Sequence, residues 1–159
     1  MATMGVRRTK KSTKRKLDRA TSGTLVKRVN SRRKGIRGEL EARDLWREFY
    51  PDCQRSFGQA RRGYEQPDLI GGEIEKKWYI EVKLKSQKVT LGLLQKWWSK
   101  LMNDRAANNG WTKSPLLMYR RNRNEWRIVR CPHIGEFVDE AWEEFRNHLR
   151  TLPASPQKE

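Results

Sequence analysis

The stretch that most constrains the fold is Trp78 to Lys85, WYIEVKLK. Side chains along a strand alternate between its two faces. Trp78, Ile80, Val82 and Leu84 therefore share a face that seeks a core, and Tyr79, Glu81, Lys83 and Lys85 share the other. Glu81 and Lys83 stand side by side, about 7 Å apart along the strand. The preceding segment, PDLIGG from Pro67, predicts a short strand that ends in a Gly-Gly turn. Pro67 has no N–H to donate, which suits a sheet edge or the first residue of a strand. The connection IGGEIEKK is short enough for a hairpin, and pairing within it would bring Asp68 alongside Glu81.

Two carboxylates that close repel and raise each other's pKa unless a cation lies between them. Mg²⁺ fits such a place, because it takes oxygen ligands at about 2.0–2.1 Å and keeps waters and room for a phosphate. A water activated there could attack a phosphodiester in line. Lys83 could orient that water and offset charge on the phosphate in the transition state. The plainer account is a Glu81–Lys83 ion pair on the polar face of a solvated hairpin. The residues alone leave both open. Favouring a site are the apolar opposite face of the strand, the separate strand for Asp68, and a third acid upstream.

That acid is Glu39. Gly35 to Phe49 reads as a helix ended by Pro51. On a helical wheel Gly35, Gly38, Ala42, Leu45, Trp46 and Phe49 share one face, with Glu39 at its edge. Glu41, Asp44 and Glu48 point away from it. Next come a short strand at CQRSFG (Cys53 to Gly58) and a basic loop, QARRGYEQ, then the two strands above. A helix runs from about Thr90 and stops at Asn109-Gly110. PLLMY and EWRIVR are strands joined by the polar turn RRNRN. EFVDEAWEEFRNHL reads as a final helix burying Phe137, Ala141, Trp142, Phe145 and Leu149. The order α-β-β-β-α-β-β-α predicts an α/β fold, a mixed central sheet flanked by helices.

Charge divides the chain. Residues 1 to 34 carry 13 Lys or Arg against one acid, Asp18, a net +12 out of the whole chain's +17. Such a block attracts polyanions. Arg32, Arg33, Lys34 and Arg37 continue it toward the domain, which favours nucleic acid over a solubilising tail. Three parts are expected: a flexible basic arm over residues 1–33, with short helical pieces around Leu25–Asn30, one domain over 34–150, and a disordered tail over 151–159. No apolar run is long enough to span a membrane, and no apolar region follows the basic N-terminus to make a secretory signal. Cys53 and Cys131 lack metal-ligand spacing and read as thiols of a reducing cytoplasm. His133 and His148 read as surface residues. Of the adjacent Trp97 and Trp98, one is expected in the core and the other at a dimer contact.

PDLIGG…YIEVK resembles the motif of the PD-(D/E)xK nuclease superfamily, with Pro67-Asp68 followed by Glu81-Val82-Lys83. RKGIRGELE and QRSFG are similar, more narrowly, to the first helix and the Arg-Ser strand of archaeal-type Holliday-junction resolvases. The resemblance spans about residues 33 to 130. It implies a restriction-endonuclease-like core, α-β-β-β-α-β, here with an added C-terminal helix. It also implies that Glu39, Asp68, Glu81 and the carbonyl of Val82 bind Mg²⁺, with Mn²⁺ as a substitute, and that Lys83 is catalytic. Arg55 and Ser56 would touch DNA near the scissile phosphate. Some superfamily members use a glutamine on the helix after the lysine, which makes Gln95 a candidate DNA contact, with a solvated helix residue as the equal alternative. Arg61, Arg62 and Lys85 are further expected DNA contacts. The loop between Arg55 and Asp68 is longer than in those resolvases, Leu40 replaces a basic residue, and the arm is longer, which bears on substrate geometry.

The reading that follows is a Mg²⁺-dependent endonuclease of DNA recombination and repair that cleaves four-way junctions. A two-fold substrate suits a homodimer, and the arms would grip phosphates without reading bases. No organic cofactor and no membrane partner are expected, and action is placed in the cytoplasm, nucleoid-associated or phage-encoded in a host. The alternatives are another nuclease of the same fold (repair, restriction-like or single-strand) and a non-catalytic nucleic-acid binder. A pure binder gains nothing from acids that face a phosphate backbone.

Overall fold

The computed structural model describes residues 31–57, 66–131 and 136–152. Most of the basic arm, including Leu25–Asn30, lies outside these residues, as do Arg61, Arg62, His133 and the tail from residue 153. The elements are α1 (Ser31–Trp46), β1 (Gln54–Arg55), β2 (Leu69–Ile70), α2 (Gly72–Lys77), β3 (Trp78–Lys85), α3 (Leu91–Ala107), β4 (Ser114–Arg121), β5 (Arg127–Arg130), β6 (Val138–Ala141) and α4 (Trp142–Thr151). The fold is α/β, and the expected order α-β-β-β-α-β is present with α2 inserted.

Four strands form a mixed sheet in the order β3-β4-β5-β6. β3 and β4 run parallel, from Trp78 opposite Ser114 to Lys85 opposite Arg121. The other two pairings are antiparallel. β1 and β2 make a separate antiparallel pair. Helices cover both faces of the large sheet. On one, Ile80, Val82, Leu116, Met118 and Ile128 pack with Ala42 and Trp46 of α1 and Trp142, Phe145 and Leu149 of α4. On the other, Tyr79, Leu117, Tyr119 and Val129 pack with Leu94, Trp97 and Leu101 of α3. Parallel strands joined by a crossover helix are normally buried on both faces. The Tyr79–Glu81 face of β3 is accordingly covered rather than open to solvent.

The aromatic residues concentrate in the first layer. Trp46 lies 5.4 Å from Trp142 and 5.9 Å from both Trp78 and Phe145, all as tilted or edge-on rings. Each such pair adds about 0.5–1.5 kcal/mol beyond its buried area. Gly38 lets α1 approach β3, since a Cβ there would lie 2.9 Å from the Cβ of Leu84.

Three expectations need correction. The segment after Ile70 is not a hairpin turn but the helix α2. Gly71 enters it at φ 105°, where a Cβ would sit 2.4 Å from the carbonyl oxygen of Asp52. Ile74 buries itself in the core and Glu75 accepts the Gly71 N–H at 3.3 Å, so one turn of helix forms in place of a tight reversal. The final helix begins at Trp142, not Glu136. Residues 138–141 are instead the edge strand β6, held by Arg127–Asp139 and Arg130–Glu140 pairs across β5. Phe137 and Ala141 are therefore off that helix, and Phe137 packs edge-on against Trp98 at 5.4 Å. The first helix runs from Ser31 to Trp46 rather than from Gly35 to Phe49, so Arg32 and Arg33 belong to α1 and residues 47–49 form a turn after it.

Trp97 is in the core, as expected, buried against Tyr119, while Trp98, expected at a dimer contact, is half-buried on Phe137 of the same chain. Both cysteines are free thiols, and burial pushes the Cys53 thiol up to about 11. His148 is exposed. Among the described residues no helix is long and apolar enough to cross a membrane.

Candidate active site at the β3 edge

β3 is the edge strand of the large sheet, and the segment leading into β2 runs along its open side. Asp68 donates its N–H to the carbonyl of Ile80 at 2.8 Å, and its Oδ2 accepts the N–H of Val82 at 2.7 Å. A carboxylate thus takes the place a strand partner would hold. The N–H and C=O of one residue point to the same side of an extended strand, so the Val82 carbonyl also faces the side where Asp68 lies. The hairpin pairing expected from sequence is reduced to these two bonds, yet it still sets Asp68 beside Glu81.

Glu81 is 3% exposed. Its Oε1 accepts from the Nζ of Lys83, two residues along the same face. Burial pushes the Asp68 carboxyl up to about 8, helped by the negative charges of Glu81 and Glu39 and opposed by Lys83 and the Val82 N–H. Burial alone would lower Lys83, but the carboxylates of Glu81 and Asp68 outweigh it and hold the ammonium above its ordinary range.

Glu39 reaches the site from α1 and is 9% exposed, as its place at the edge of the apolar face predicts. Its Oε2 pairs with the Nε of Arg55 on β1. Ser56 donates its N–H to the Asp68 carbonyl at 2.8 Å, so the Arg55-Ser56 pair is tied to the strand that carries Asp68. A cleft lined by Arg32, Gly35, Ile36, Glu39, Arg55 and Phe57 opens beside Glu39. Lys34 and Arg37 lie on α1 and Lys85 at the end of β3. Arg33 and Gln95 are exposed on α1 and α3. Glu41, Asp44 and Glu48 face away from the core as the wheel predicts, and pair with Arg120, Arg43 and Arg146.

Asp68, Glu81 and Glu39 each lean on a hydrogen-bond donor rather than on one another. Among the described residues no three Asp, Glu, His or Cys side chains stand close enough to hold a metal ion as they are placed. Charge nevertheless favours a cation here. Three acids face two cations, Lys83 and Arg55, and the excess falls on Asp68, whose ionised form is disfavoured. The donors are oxygen atoms, the type a hard divalent cation selects.

Sequence reasoning missed the Arg55–Glu39 pair, because 16 residues separate its members and no local pattern couples them. It also passed over Phe57, which is 83% exposed with the Arg55 guanidinium 5.5 Å from its ring centre.

No protein-family model matches the chain. Protein D14 of Escherichia phage T5 is 32% identical to it over 116 residues, covering 64% of this chain and 71% of D14. The chain belongs to the D14 family. Among solved structures, Hjc, a Holliday junction resolvase from Archaeoglobus fulgidus, is similar over 71% of this chain and 93% of its own, with 17% identity and a TM-score of 0.39. At that score the likeness carries no argument of its own. What this D14-family chain can do is read from its site.

Proposed function

We propose that this D14-family chain is a metal-dependent DNA endonuclease that cleaves branched DNA, four-way junctions foremost. The observation that carries the reading is the buried acid pair at the β3 edge. Asp68 and Glu81 share a place where ionisation of both is costly, and Lys83 stands against one of them. Fold stability gains nothing from a buried carboxylate held near a pKa of 8. A phosphodiester hydrolase uses such an arrangement.

Glu39, Asp68, Glu81 and the Val82 carbonyl would hold Mg²⁺ or Mn²⁺, which when bound supplies Lewis-acid polarisation of the phosphate and a more acidic water. Lys83, anchored by Glu81, aligns the attacking water and offsets charge that builds on the phosphate. Arg55, paired with Glu39, is placed to exchange that partner for a phosphate oxygen, since its fork of donors suits either anion. Ser56, joined by its backbone to Asp68, lies where the DNA strand would pass. The basic arm and the cations of α1 add attraction for phosphates that is independent of sequence. Two protomers would set one site on each of two opposed strands of a junction. The phage relative favours action in a host cytoplasm.

The deciding experiment is cleavage of matched four-way, forked and linear DNAs with Mg²⁺, with Asp68→Asn as control. Paired symmetric nicks on the four-way DNA alone support a resolvase. Cutting of forked or linear DNA points to another nuclease of this fold. Binding without cutting, equal in wild type and Asp68→Asn, would leave a nucleic-acid binder.

A further inference from the structure

The stretch Arg120 to Asn124 reads from sequence as a polar turn, but it comprises the last two residues of β4 and the β4–β5 turn, and it completes a cationic groove. β3 and β4 are parallel and in register, so their C-terminal ends bring Lys85 opposite Arg121. Asn122 donates its N–H to the Lys85 carbonyl at 2.8 Å, and Asn124 to the Arg121 carbonyl at 3.0 Å, which fixes the turn against the end of β3. Arg123 sits at its tip with φ 64°. The groove beneath is lined by Arg37, Glu41, Arg120, Asn122 and Arg123.

The charges here do not cancel. Glu41, the acid of the groove, is already claimed by Arg120 and, at 3.7 Å, by Arg37. Arg120 is also fixed by stacking at 4.9 Å over Trp126. Among the described residues no acid pairs with Lys34, Lys85, Arg121 or Arg123. Lys34 is held below its ordinary range, first by partial burial and then by the positive charges of Arg37 and Lys85. Lys34, Arg37 and Lys85 therefore lie close enough to repel one another, and an anion would relieve them.

We propose that this groove between α1 and the β4–β5 turn is a phosphate-binding track for duplex DNA, with Arg37 and Arg123 as its outer contacts. It adjoins the carboxylate site along α1, which carries Arg37 and Glu41 of the groove and Glu39 of the site. A duplex cut at the carboxylates would continue along the track at the C-terminal ends of β3 and β4. The placement rests on the nuclease reading, but the binding does not need it.

The test uses the full chain with Arg37→Gln and Arg123→Asn together, because asparagine tolerates positive φ. The control is Lys76→Gln with Lys113→Gln, the same charge change near the N-terminal ends of β3 and β4. Binding to a four-way junction and a linear duplex is measured without divalent metal over a salt series, with circular dichroism as the check on folding. The track variant is expected to bind at least tenfold more weakly at moderate salt. Its log–log salt slope should fall by about 2, one phosphate contact for each arginine lost. The control should keep the wild-type slope. An unchanged slope in the track variant, or an equal fall in the control, overturns the proposal. A folded track variant that still cuts with the wild-type slope defeats the track alone. A wild type that binds with the expected slope but cuts nothing defeats the nuclease reading alone.

Discussion

The two ends of the functional surface are built on opposite electrical principles. At the β3 edge a few acids are buried, and each has one oxygen with an assigned partner: Oδ2 of Asp68 with the Val82 N–H, Oε1 of Glu81 with Lys83, Oε2 of Glu39 with Arg55. At the C-terminal ends of β3 and β4 several cations lie near solvent, and among the described residues no acid pairs with Lys85, Arg121 or Arg123. A buried charge is sensitive to any single change, because the surroundings cannot rearrange to replace it. A solvated charge is nearly interchangeable with its neighbours. The first region is therefore suited to chemistry and the second to holding a polyanion.

The largest expected effect comes from the acid site. Asp68→Asn or Glu81→Gln should lower Mg²⁺-dependent cleavage by about 10³-fold or more, a barrier increase of roughly 4 kcal/mol. Junction affinity should stay within about threefold, because phosphate contacts carry most of it. Gel assays of cutting and binding on the same preparations would break the comparison if both fell together.

Next in size is the seam that presents Glu39 to the site. Gly38→Val would drive a branched side chain into Leu84 and push α1 off β3. Overpacking of this kind costs about 1–3 kcal/mol, which denaturant unfolding would register, and cleavage should fall further than stability because Glu39 moves with the helix. Wild-type stability with impaired cutting would show that the helix position matters only to the site.

A subtler test uses pH. Asp68 titrates near 8 in the folded chain and near 3.8 in the unfolded one. Between those values the folded state holds a proton that the unfolded state has released. Without divalent metal, this group therefore lowers stability progressively as pH rises from about 4 to about 8. Asp68→Asn removes the titration and should raise Tm relative to wild type more at pH 8 than at pH 5, by several degrees. Added Mg²⁺ should narrow that gap by stabilising the wild type. A gap independent of pH would place the excess charge elsewhere.

The smallest effect belongs to the cationic end. Lys85→Gln alone should lower the salt slope of DNA binding by about 1 and leave the Mg²⁺ dependence of cutting as it was. A large loss of cutting from that single change would blur the division between the two regions.

How much of this was legible beforehand follows from the range of each interaction. β3 was visible because eight residues alternate cleanly. The Glu39 edge was visible because helical spacing recurs over four turns. The α2 turn was not, because GEIEKK is as polar as a loop and is held by one buried residue, Ile74. β6 was hidden for a similar reason. VDEA has too little alternation to announce a strand, and its pairing depends on arginines of β5. The covering of Glu81 by α3 is a consequence of the parallel crossover, which no window of sequence displays. Asp68, Glu81 and Lys83 were placed together on a hairpin that does not form, and they still meet, because Asp68 contacts β3 directly.

That contact has a further meaning for handling the protein. An edge strand with an unpaired N–H is a template on which another chain can add a strand. At Val82 the acceptor is Asp68 itself, so the acid also keeps the sheet closed to strangers. Asp68→Asn leaves an oxygen to cap that donor, whereas Asp68→Ala would bare it. The alanine variant invites self-association that could pass for a catalytic defect or for a dimer, which makes asparagine the safer way to silence this site.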